Sequence, residues 1–162
     1  MAFIHSAPGV TNEQAYIRLS NKDDSTDAFM TIPALQDMTI NNANDVFTWS
    51  QLDATAKNQV ATTSTNSISM NIVLDPTTFF GASTYSATGT MANNGILQSS
   101  INKDKVKFRV DLGGSTTKSI EGEGYITGLA PTTSADSPVW ISPITITVTG
   151  EYTLGTNINS DD

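Results

Sequence analysis

In residues 66–75 the apolar side chains fall on alternate positions: Ile68, Met70, Ile72 and Leu74, with Ser67, Ser69 and Asn71 between them. A period of two fits an extended strand, whose successive side chains leave on opposite faces; a helix would scatter these residues around its circumference. The segment is therefore predicted to be a half-buried strand, closed by Asp75-Pro76. The pattern returns further on. Val106, Phe108, Val110 and Leu112 alternate with Lys105, Lys107, Arg109 and Asp111, and Gly113-Gly114-Ser115 reads as a hairpin turn. Ile120 and Ile126 then oppose Glu121, Glu123, Tyr125 and Thr127, and Trp140, Ile144, Ile146 and Val148 oppose Thr145 and Thr147. Composition agrees, because 24 Thr and 17 Ser make up about a quarter of the 162 residues. Threonine favours strands and serine favours the turns between them.

The rest of the chain organises around these strands, and its length fits one domain spanning residues 1–162. Residues 1–28 lack sustained periodicity and end in turn formers, which predicts an N-terminal arm. Residues 29–40 suit one or two short strands, with Pro33 at an edge or a strand start. Residues 41–45 read as a turn, and the polar stretch that follows has no anchors larger than Leu52 and Val60, so 41–66 is predicted to be one long loop. A weak helix is expected over about 88–100, against the disfavour of Asn93, Asn94 and Gly95, with the Phe79-Phe80 patch before it. Residues 153–162 read as a C-terminal arm.

Several chemistries are disfavoured. No cysteine is present, so disulfides, thiolate metal sites and cysteine nucleophiles are ruled out. A formal charge of -8 is unsuited to gripping phosphate. Charged residues are also scarce, at 15%, which fits either a surface largely covered by partners or a monomer solvated by its Ser and Thr. The N-terminal residues have no basic n-region, so no signal peptide is expected, and no stretch is long enough to cross a membrane as a helix. Asn21, Asp23, Ser25 and Asp27 match the first alternate positions of a calcium loop, but Thr26 and Ile32 stand where Gly and Glu are needed. Glu121 and Glu123 share a strand face without the unequal environments of a glycosidase pair. Gly122, Gly124 and Gly128 miss the dinucleotide spacing. His5 has no triad or metal cluster around it, and the cluster of Lys103, Lys105, Lys107 and Arg109 is interrupted by Asp104. No enzyme and no cofactor are expected.

Taken in order, the segments resemble the major tail tube proteins of long-tailed, siphovirus-type bacteriophages. The resemblance rests on Val46-Phe-Thr-Trp-Ser-Gln-Leu-Asp-Ala-Thr-Ala-Lys57, a polar spacer, and the alternating strand ending at Asp75-Pro76. It continues through Lys105-Val-Lys-Phe-Arg-Val-Asp-Leu112, Gly122-Glu-Gly-Tyr-Ile-Thr-Gly128 and Ser142-Pro-Ile-Thr-Ile-Thr-Val-Thr-Gly150, and covers about residues 29–153. It implies a mainly β fold, an antiparallel β-sandwich or half-barrel with one short flanking α-helix. It also implies a homo-oligomer of hexameric rings stacked into a tube that conducts DNA without specific binding. Implied partners are a tape measure protein, a tail terminator and baseplate or tip proteins. The implied location is the virion tail, after assembly in the host cytoplasm.

On this reading the polar strand faces supply lumen-lining candidates, Ser69, Asn71, Glu121, Glu123, Thr127, Thr145 and Thr147, with the two glutamates giving the wall negative charge. Apolar residues in polar segments supply inter-subunit candidates: Phe3, Ile4, Val10, Leu52, Val60 and Ile158. The alternative is an immunoglobulin-like adhesion or decoration module that binds a surface glycan or protein.

Overall fold

The computed structural model describes residues 16–53, 55–111 and 118–156. Eight strands and two helices follow the order β1 (Tyr16–Asn21), β2 (Met30–Thr31), β3 (Leu35–Ser50), β4 (Lys57–Val73), α1 (Pro76–Phe80), α2 (Met91–Ile101), β5 (Lys105–Asp111), β6 (Lys118–Leu129), β7 (Thr132–Ser134) and β8 (Ser137–Thr156). One antiparallel ladder joins them in the spatial order β2-β1-β5-β6-β8-β4-β3, with β7 paired to β8. The expected mainly β antiparallel architecture is present.

Register follows from the alternation. Ile126 pairs with Ile146, Ile146 with Ile68, and Ile68 with Ile40, so one apolar row crosses four strands. Ile126, Ile146 and Ile68 are buried. A one-residue slip would turn the whole row to solvent, and burying each isoleucine is worth about 1.5–3 kcal/mol. On the other flank Ile17 pairs with Val110 and Leu19 with Phe108, which continues the same buried face. Met91 and Ile96 of α2 and Phe79 of α1 complete the core.

The helical connection differs from the expected single helix. Asp75 caps α1 by accepting from the Thr78 amide at 3.0 Å, and Pro76 opens it, as the fixed φ of proline favours. Thr90 caps α2 through the Asn93 amide. Gly95 kinks α2 with φ 76°, and Gly81 ends α1 with φ 90°. The two glycines interlock, since a Cβ on Gly95 would lie 2.3 Å from the Gly81 nitrogen. Gly95, counted against the helix in the sequence, is therefore what lets the two helices cross.

The clearest correction concerns residues 41–66. They form no loop: residues 41–50 belong to β3, residues 57–66 belong to β4, and the two pair from Asn41↔Ser67 to Ser50↔Lys57. The N-terminal arm is shortened as well, because β1 lies within 1–28, and β8 continues into the expected C-terminal arm as far as Thr156. Phe3, Ile4, His5, Val10, Ile158 and the 113–115 turn lie outside the described residues.

Candidate functional site

The face of the sheet opposite the core is polar and divides into two halves. Across β3, β4, β8 and β6 it consists of hydroxyls and amides with one carboxylate, Asp37: Asn41 pairs with Ser67, Ser67 with Thr147 and Thr147 with Tyr125, while Thr39 pairs with Ser69 and Ser69 with Thr145. The Thr127 and Thr147 hydroxyls are 2.8 Å apart. Ser69, Thr127 and Thr147 are exposed, and Asn71 and Thr145 are partly so. Asn71 donates to both carboxylate oxygens of Asp37. These five lumen candidates thus share one continuous hydroxyl and amide surface.

The other half, over β6, β5 and β1, carries its charge in ion pairs, four cations on three carboxylates. Glu123 binds Lys22 at 2.7 Å and Lys105 at 2.8 Å. Arg109 donates from Nε to Glu121 at 3.0 Å, and Lys107 pairs with Asp27. The hydrogen bonds from Lys105 and Lys22 hold the Glu123 carboxyl down to a pKa of about 2. The expectation that Glu121 and Glu123 present free negative charge is corrected: each is already neutralised by a neighbouring strand. The same pairing engages Lys105, Lys107 and Arg109 of the interrupted basic cluster. The glycines between the glutamates serve packing, since a Cβ on Gly122 would lie 2.6 Å from the ring of Phe108, and one on Gly124 would lie 2.4 Å from the Thr147 carbonyl oxygen. In the calcium-like segment Asp24 accepts from the Thr26 and Ala28 amides, so its carboxylate shapes a turn.

The second feature is a ribbon. β8 supports β4 only along Ser67–Val73, so beyond that the β3–β4 hairpin runs free for about 30 Å at 3.3 Å per residue. Its root is fastened. Asn66, buried and in line with the alternation of Ile68 and Met70, donates to the Gly150 carbonyl at 2.9 Å and accepts from Asn42 at 2.8 Å. The Tyr152 hydroxyl lies 2.6 Å from the Asn41 carbonyl oxygen and 3.0 Å from that of Ser67, and its ring meets Phe108 edge-on. Sequence reading missed Asn66 and Tyr152; the one available signal was an asparagine at a position where the period demands an apolar residue.

The ribbon itself is apolar where it should not be. Phe47 stacks on Trp49 with centroids 6.0 Å apart, Val60 pairs with Phe47, and Leu52 is fully exposed at the turn. The extra residue of β4 opposite Asp45, where the register shifts, sets this arrangement. Of the inter-subunit candidates, Leu52 and Val60 therefore sit together on one projecting element.

No protein-family model matches the chain, and no curated protein matches it. Solved structures do. The tail of an empty gene transfer agent (GTA) particle, refined with C6 symmetry, is similar at a TM-score of 0.63 and 15% identity, over 87% of this chain and 95% of that one. The SPP1 tail tube is similar at a TM-score of 0.64 and 11% identity, over 93% of this chain and 81% of that one. The sheath-tube complex of an extracellular contractile injection system, PVC, follows at a TM-score of 0.55 and 12% identity, over 91% of each chain. With its single antiparallel sheet, polar on one face and closed by two short helices on the other, the chain has the fold of phage tail tubes.

Proposed function

We propose that this chain is a structural, non-enzymatic subunit of a phage tail tube. Copies join edge to edge into hexameric rings, the rings stack into a hollow tube, and the polar sheet face lines the bore through which DNA leaves. The observation that carries this reading is a sheet with two open edges. Among the described residues, β3 at one edge has β4 as its only strand partner along sixteen residues, and at the other edge β2 covers only Arg18 and Leu19 of β1. Unpaired edges of that length invite pairing with another chain, and a ring of copies satisfies them by closing a barrel. An immunoglobulin-type module would divide its strands between two sheets, whereas one ladder joins all eight here.

The ribbon supports the same reading, because a two-stranded hairpin is marginal in water and this one exposes stacked aromatic rings. We assign it to the contact between rings. A tape measure protein, a terminator and baseplate or tip proteins are the partners that a tube of this kind requires. A tube-terminating cap and a baseplate of the anti-feeding prophage are among the similar structures. The location that follows is the virion tail, after assembly in the host cytoplasm. Electron microscopy of the concentrated pure protein tests the reading. Hollow sixfold tubes are expected, and monodisperse particles at every concentration would overturn it.

A further inference from the structure

Among the described residues a second apolar surface lies at the opposite end of β4 from the ribbon. Leu74, Phe79, Phe80, Leu97, Pro131 and Trp140 line an open cavity of about 350 Å³ where α1, α2 and the start of β8 meet. Its walls are almost wholly apolar, yet Phe80 is 61% exposed and Trp140 52%. Leu74 is tied to this end by its amide, which donates to the Trp140 carbonyl at 2.9 Å. From Lys57 at the ribbon tip to Val73 beside the cavity, β4 spans seventeen residues, or about 53 Å.

We propose that the ribbon tip of one copy seats in the Phe80–Trp140 cavity of a second copy in the next ring. This rests on the tube reading and names the acceptor it leaves open. Two observations choose a second copy as the occupant. The shapes are opposite: the ribbon projects Phe47, Trp49 and Leu52, and the cavity has room for one aromatic side chain with a neighbour. The placement is the second. Complementary surfaces at the two ends of one strand cannot meet within a chain, and between chains they make a heterologous contact, which propagates as a filament.

The absence of cysteine makes the test free of background. Leu52→Cys places a thiol at the tip and Pro131→Cys one at the cavity rim. Within one chain the two are far beyond the roughly 7 Å limit between Cα atoms that a disulfide can bridge, so any bond must join copies. Tubes of the double variant, oxidised and run without reductant, are expected to give a ladder of covalent multimers, and neither single variant should. Tubes without a ladder would overturn this inference and leave the tube reading standing; absence of tubes from the wild-type chain would overturn both. As a second measurement, Trp49→Glu and Trp140→Glu should each stop at single rings, whereas mixing them should restore ring pairs and no longer stacks. Full tubes from either variant alone would equally overturn the inference.

Discussion

Glu123 shows how one side chain can carry a pH dependence in a surface otherwise built from hydroxyls. Lys105 and Lys22 approach it from two different strands' ends and hold its pKa at about 2, against an ordinary value of 4.5. A depressed carboxylate pKa stabilises the folded chain fully above the ordinary value, and that contribution is lost as pH falls from about 4.5 toward 2. Burial acts in the other direction on Asp104 and Asp111, whose raised pKa values favour the folded chain as pH falls. The wild-type profile is therefore a composite, and Glu123→Gln isolates one component. The variant is expected to lose about 0.5–1 kcal/mol at pH 7, the scale of a partly exposed pair, and to converge on wild type near pH 2. Urea melts at pH 7, 4 and 2 would show it; an unchanging difference across that range would mean that the ion pairs are not responsible.

At the scale of elements, the ribbon is the part that depends on something outside the chain. Removing residues 46–61 and closing Asp45 to Thr62 through an Asn-Gly turn would spare its root, where Asn42, Asn66 and Tyr152 hold the two strands. The shortened chain is expected to keep its melting temperature within a few degrees, since it loses no buried core residue, and to form no tubes. Normal tubes by electron microscopy would remove the ribbon from assembly. The contrast also explains what could be read from sequence. Strands β4, β5, β6 and β8 were legible because one face of each is buried, and burial is what writes a period of two into a sequence. Over 41–65 neither face is buried within the chain, so no period marks the strands, and Asn-rich stretches imitate turns. Helix α2 was only half legible, because Gly95 lowers helix propensity yet is needed for the contact with Gly81. The pairing of Glu121 with Arg109 was hidden too, since it depends on which strands become neighbours.

For the whole molecule, the decisive question is which way the sheet faces in the tube. In the proposed assembly the bore wall repeats Thr39, Ser69, Thr145, Thr147 and Thr127 around each ring, together with Asp37 and an ionic half in which Arg18, Lys22, Lys105, Lys107 and Arg109 stand against Asp27, Asp111, Glu121 and Glu123. Such a wall is wet and close to neutral. Its cations stand beside carboxylates, and within a Debye length of about 8 Å at physiological salt the opposite charges largely cancel. DNA would slide past hydroxyls that exchange hydrogen bonds with water. Adding free cations is a sharper test than reversing the glutamates, because Glu123→Lys would also break a paired triad. Ser69→Lys and Thr147→Lys instead place amines on the hydroxyl and amide half, where its one carboxylate, Asp37, is held by Asn71 and none sits opposite either position in the register. Tubes should still form, since both side chains are exposed and neither faces the core. With six added amines per ring for each substitution, genome release from particles built with these tubes should slow markedly at low ionic strength and recover as salt is raised. Unchanged release at low salt from intact variant tails would place this face on the outside of the tube and the helices toward the bore.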